Sequence, residues 1–138
     1  MSRRHKFTTP QNLHSKGMAL VIKTDTPLGT IAITHDCFAS LVGTAVQECY
    51  GVVGMSTSNP TQDIFSLVSK QKRLSKGVKV RSYGGKLIID LHIKVSYGLN
   101  ISAIVKSIVH KVKYTIEAST GFPVASVNVF VDSMSANL

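Results

Sequence analysis

Acidic residues are scarce in this chain: seven Asp and Glu stand against sixteen Lys and Arg in 138 residues, a formal charge of +9. The seven acids are scattered singly, so the sequence offers no carboxylate pair of the kind that performs acid–base catalysis on glycosides. Long hydrophobic runs are missing too. The longest near the start, Met18-Ala19-Leu20-Val21-Ile22, falls short of both the ~20 residues of a membrane span and the roughly 7–15 of a secretory signal. Cysteine is sparse, with only Cys37 and Cys49. Both fall on one expected helix, where twelve residues at about 1.5 Å each hold them roughly 18 Å apart, beyond disulfide reach. Two unpaired thiols with no CxxC fit a reducing compartment. A cytoplasmic protein is the expectation.

Catalytic and cofactor signals are equally thin. His5, His14, His35, His92 and His110 stand at no metal-ligand spacing with a cysteine or an acid, so neither a metal nor a catalytic residue is expected. No P-loop and no GxGxxG occurs, which leaves no grip for a nucleotide cofactor. Asn100-Ile101-Ser102 matches a glycan acceptor, which has no consequence in a cytosolic protein. The chain reads as a non-enzyme without cofactor or small-molecule substrate.

What is present is ordinary globular material. Hydrophobic residues are 43% and charged residues 17%, and a chain of this length buries roughly 68% of its unfolded surface as one domain. Residues 1–17 lack apolar periodicity and carry Arg3, Arg4, Lys6 and Lys16 with no acid. They are expected to be a disordered basic extension ahead of a folded domain over 18–138. Short β-like runs at 19–23 and 30–34 flank a turn-rich joint at 25–29. Phe38, Leu41, Val42, Ala45, Val46 and Cys49 then mark one face of a helix over about 35–50, with Thr34 as N-cap, Asp36 in the first turn and Gly51 just past the end. Gly51-Val52-Val53-Gly54 has the GxxG form that clamps nucleotides in KH domains. Its middle valines are strand-like, and glycines bracketing a helix end and a buried turn account for it better. A shorter helix is expected near 61–72.

Residues 78–97 read as a hairpin around Gly84-Gly85. Its second strand alternates strictly, Leu87, Ile89, Leu91, Ile93, Val95 and Tyr97 on one side and Ile88, Asp90, His92, Lys94 and Ser96 on the other. A long helix to about 119 carries the stripe Ile101, Ile104, Val105, Ile108, Val112 and Ile116 and is closed by Gly121 and Pro123. A strand over about 124–132, with Val127, Val129 and Val131 on one face, ends the domain. The expected fold class is α+β: a mainly antiparallel sheet with helices packed on one face, a two-layer sandwich.

Two patterns hint at function. Lys70, Lys72, Arg73, Lys76, Lys79 and Arg81 are six cations in twelve residues without an acid. A solvated helix end, where the dipole favours cations, is the bland account; a landing site for phosphates or lipid headgroups is the functional one. Second, the sheet face away from the helices would display Lys79, Arg81, Tyr83, Ile88, His92, Lys94 and Phe130. Tyr83, Ile88 and Phe130 among cations suggest a contact surface, although scattered exposed apolar residues are also normal.

Three stretches together resemble a known family. Glu48-Cys49-Tyr50-Gly51-Val52-Val53-Gly54-Met55, Gly77-Val78-Lys79-Val80 and Leu87 to Gly98 (LIIDLHIKVSYG) are similar to the alkaline shock protein family, including its YloU-like members. Lys111-Val112-Lys113 and Thr120-Gly121-Phe122-Pro123-Val124, leading into Val127-Asn128-Val129, fit as well. The likeness runs over about residues 29–132, and the basic extension 1–17 departs from it. It implies a small cytoplasmic protein, mainly of Gram-positive bacteria, tied to cell-envelope stress and in some relatives held beneath the membrane by a separate anchor protein. No activity or catalytic residue comes with it. The expected function is a non-enzymatic interaction or scaffold domain of the envelope stress response, peripheral to the inner face of the membrane. It would act through a homo-oligomer, formed by the sheet face or an edge strand, and through a membrane-anchored partner or an anionic membrane surface. The alternative is a nucleic-acid-binding domain using Lys79, Arg81 and Lys94 for phosphates and Tyr83 or Phe130 for stacking.

Overall fold

A computed structural model describes residues 21–56 and 76–136. The basic extension, the helix expected near 61–72, and with it Lys70, Lys72 and Arg73, lie outside the described residues. The elements run β1 (Val21–Thr26), β2 (Gly29–Thr34), α1 (His35–Gln47), β3 (Val52–Met55), β4 (Val78–Tyr83), β5 (Lys86–Ser96), α2 (Ile101–Thr120) and β6 (Val124–Ser135). The architecture is the α+β sandwich, with two helices against one sheet face. No helix among the described residues is long and apolar enough to cross a membrane.

β1 and β2 form a hairpin of their own, Thr26 paired with Gly29. Both strands extend into the expected joint, so the turn shrinks to Pro27 and Leu28. α1 begins as its sequence dictates: Thr34 Oγ1 accepts from the Cys37 N–H at 3.3 Å, and Asp36 sits in the first turn. It ends at Gln47, earlier than the apolar period implies, because Cys49 N–H bonds the Val46 carbonyl at 3.0 Å, a tighter i−3 link that winds the chain off the helix.

The alternation of β5 is realised from Leu87 to Val95 and fails beyond it: Ser96, expected on the outer side, is buried, and Tyr97, expected on the core side, is 70% exposed, because the strand ends at Ser96 and the chain turns at Tyr97 and Gly98. Leu87, Ile89, Leu91, Ile93 and Val95 are completely buried against Phe38, Val42 and Val46 of α1 and Ile108, Val112 and Ile116 of α2. Gly84 and Gly85, at φ +58 and +83, supply the two left-handed residues of the turn joining β4 to β5, the pattern of a type I′ hairpin. α2, about 30 Å long, returns the chain along β5, about 36 Å long. β6 therefore starts beside Leu87 and runs parallel to β5, with Ile89 opposite Val127, Leu91 opposite Val129 and Ile93 opposite Val131. The three valines share the core face, half-buried. The parallel pair makes β5–α2–β6 a crossover unit inside an otherwise antiparallel sheet.

β3 and β4 lie end to end on the other side of β5. Met55 is opposite Ile93 and Val78 is opposite Leu91, which leaves one position, opposite His92, between them. Two residues share it: Ser56 N–H donates to the His92 carbonyl at 2.9 Å, and His92 N–H donates to the Gly77 carbonyl at 2.8 Å. The chain thus leaves the sheet at Ser56 and rejoins it at Gly77 within one strand position.

α2 stops as its closing residues predict. Gly121 is its left-handed C-cap at φ 75, its N–H bonded to the Glu117 carbonyl at 3.0 Å. A Cβ there meets nothing within 4 Å, so only backbone strain opposes a side chain. Gly121→Val is expected to lower stability by about 1–2 kcal/mol; an unchanged melting temperature would refute this.

Candidate interaction surface

Alternation that buries the odd residues of β5 turns Ile88, Asp90, His92 and Lys94 to the opposite face. β4 adds Lys79, Arg81 and Tyr83. β6 brings Asn128 opposite Asp90 and Phe130 opposite His92. The structure therefore gathers Lys79, Arg81, Tyr83 and Ile88 of the hairpin on one face, and the parallel placement of β6 adds Phe130 to it. Tyr83 is 80% and Phe130 47% exposed, whereas Ile88 is half-buried in the central strand. Lys76 is half-buried in the turn leading into β4.

The electrostatics of this face are organised by its two acids. Asp90 takes Arg81 Nη2 on one oxygen at 2.9 Å and the Asn128 side-chain N–H on the other at 2.7 Å. Asp132 faces His92 Nδ1 at 3.1 Å, and the His92 ring stacks on Phe130 with centroids 4.8 Å apart and planes 14° from parallel. Each acid is met locally. Lys79 and Lys94, both exposed, have no ion pair among the described residues. The run that is acid-free in sequence is thus not so in space: Arg81 is engaged by Asp90, and among the described residues the unpaired charge of the face rests on Lys79 and Lys94.

Sequence reasoning left His92 as an isolated histidine and passed over Asp90, Asn128 and Asp132. The Arg81–Asp90 contact was open to discovery, because a two-residue turn fixes the hairpin register and sets Asp90 diagonal to Arg81. The His92–Asp132 contact depends on the parallel placement of β6, for which no local signal exists.

The thiols give this surface no nucleophile. Cys49 is buried behind the end of α1, where its Sγ–H donates to the Ala45 carbonyl at 3.4 Å. Burial pushes this thiol up from its ordinary value, against the opposing pull of the Lys111 ammonium. It stays protonated near neutral pH and packs as a small apolar group. Lys111, held by Glu48 at 2.8 Å, is itself pushed up by that hydrogen bond and ties the end of α1 to α2. Cys37 is exposed, and both cysteines are free.

The chain is 37% identical over 113 residues to the uncharacterised protein YloU of Bacillus subtilis strain 168, covering 82% of this chain and 94% of that one. It is 32% identical over 115 residues to the uncharacterised protein Spy1614 of Streptococcus pyogenes serotype M6, covering 83% and 95%. No solved structure matches the chain. Residues 23–136 match the model of the alkaline shock protein 23 family, described as having a cell envelope-related function, and the chain belongs to that family.

Proposed function

We propose that this chain is a non-enzymatic interaction domain of the cell-envelope stress response. It works in the cytoplasm at the inner face of the membrane, by self-assembly and by docking on the membrane surface or a protein held there. One observation carries the reading: a sheet face that no described element covers, on which both acids are met internally while Lys79 and Lys94 have no ion pair among the described residues, beside exposed Tyr83. A face of that kind attracts anionic surfaces, each nearby cation contributing about 1 kcal/mol. The cell envelope-related description of the family supports the setting. Nucleic-acid stacking is less well served, because one side of the Phe130 ring is already covered by His92 and Arg81 is held by Asp90.

The test is sedimentation of the full chain with vesicles containing anionic phospholipid, against neutral vesicles, at physiological salt. Lys79→Glu with Lys94→Glu is expected to weaken anionic-vesicle binding by ~2 kcal/mol or more, about thirtyfold. Tyr83→Ala and Phe130→Ala should leave it nearly unchanged. RNA binding that is lost in the two aromatic variants would favour the nucleic-acid alternative. Vesicle binding indifferent to the lysine reversals would remove this face from the proposal.

A further inference from the structure

We propose that two copies of this chain pair antiparallel along the open edge of β6, with Val129 on the two-fold axis. The proposal rests on the self-assembly part of the reading above and assigns it to a strand edge rather than to the sheet face.

The two sides of the sheet are treated differently. On the β4 side, Val80 N–H points away from β5 and would be free to pair with another chain. It instead donates to His35 Nε2 at 3.3 Å, and exposed Lys79 and Arg81 flank it. A capped N–H and adjacent cations are devices that block strand addition. On the other side, β6 is twelve residues long, and among the described strands it pairs only with β5. Its sequence, VASVNVFVDSMS, contains no Lys, Arg or Pro, and although its register shifts at Ala125 and at Asp132, the stretch from Ser126 to Val131 pairs with β5 without a break.

The ladder shows which groups that edge offers. His92 directs its N–H and C=O toward β3 and β4, so the odd-numbered residues of β5 direct theirs toward β6. Leu87 N–H to the Pro123 carbonyl and Tyr97 N–H to the Ser135 carbonyl follow this parity. Ile89, Leu91 and Ile93 lie opposite Val127, Val129 and Val131. In a parallel ladder each bonds the residues flanking its partner. The N–H and C=O groups of the three valines are therefore left directed at the open edge.

Charge identifies the occupant as a second copy. A +9 chain repels itself over most of its surface, but no Lys or Arg occurs after Lys113. β6 itself thus brings no cation to that edge, and two copies pairing there oppose no Lys or Arg on either strand. With Val129 on the axis, Val127 lies opposite Val131 on the core face, and Asn128 lies opposite Phe130 on the outer one. Asp132 sits at the register irregularity just beyond this stretch, so within the paired residues no like charges face each other. Such a strand pair is smaller than the roughly 1,600 Å² of a standard interface, which places the dimer in the weak, concentration-dependent class.

The test combines sedimentation velocity of the full chain from about 1 to 300 μM, a range spanning weak interfaces, with amide hydrogen exchange at both ends of that range. The expected result is a monomer–dimer equilibrium in which the amides of Val127, Val129 and Val131 alone become slower to exchange at high concentration. Val129→Pro removes an N–H that β5 does not use, and should weaken dimerisation at least tenfold. A dimer in which these three amides are unchanged would overturn the edge assignment while leaving self-assembly standing. A monomer throughout would overturn both, with vesicle binding by Lys79 and Lys94 still open to its own test.

Discussion

Gly77→Ala is expected to be among the most damaging single-methyl additions in the fold, lowering stability by about 3–4 kcal/mol. Gly77 holds φ +73, and a Cβ there would overlap the carbonyl oxygens of Ser56 and His92. Both are backbone atoms within the sheet, and neither can rotate aside. The left-handed strain alone costs about 1–2 kcal/mol. The rest comes from the two hydrogen bonds across His92, Ser56 N–H to its carbonyl and its own N–H to Gly77, at about 1 kcal/mol each. Against a total stability of about 5–15 kcal/mol for a domain, this is a large share. The measurement is the midpoint of urea unfolding, and a midpoint near that of the wild type would refute the role assigned to Gly77. Gly121→Val is the built-in contrast, since it carries the same backbone strain with open space around the new side chain.

Phe38→Ala should cost about 3–5 kcal/mol, the range for emptying a large aromatic site in a packed core. Phe38 is fully buried on α1 and Phe122 is 2% exposed on the link from α2 to β6. Their rings meet edge to face, with centroids 5.8 Å apart and planes at 73°. This contact joins α1, from the first half of the domain, to the closing corner of the crossover unit. The Phe38→Ala and Phe122→Ala losses should therefore be less than additive in the double variant, with a coupling of about 0.5–1.5 kcal/mol. Strict additivity would mean that the two rings pack independently.

Much of this fold was legible because periodicity is a local property. The alternation of Leu87 to Val95 and the stripe from Ile104 to Ile116 each lie within one element, and the burial of each follows the pattern residue by residue. Thr34, Gly84-Gly85 and Gly121 were legible for a related reason: each meets a backbone need set by its immediate neighbours. The outer face was legible as a set of residues and not as a charge distribution. That Lys79 and Arg81 share a face follows from the strand period. That Arg81 is engaged and Lys79 is not depends on which residue of β5 stands diagonal to each. Likewise, His92 and Asp132 are forty residues apart, and only the direction of β6, set by the return of α2, brings them together. Register between distant strands is a tertiary quantity, and no single segment encodes it.

The shared position of Ser56 and Gly77 opposite His92 also bears on how this scaffold can change. β3 and β4 form, in effect, one strand into which the intervening chain is inserted, and the two insertion points are bonded to opposite ends of the same His92 peptide pair. Because the sheet already holds Ser56 and Gly77 together, the loop-closure cost of the chain between them grows by only about 0.6 kcal/mol for each doubling of its length. The two ends of β3 and β4 thus behave as one continuous edge of the sheet, and the pairing that carries Lys79 and Lys94 beside β5 is fixed by β5 itself rather than by the chain between Ser56 and Gly77.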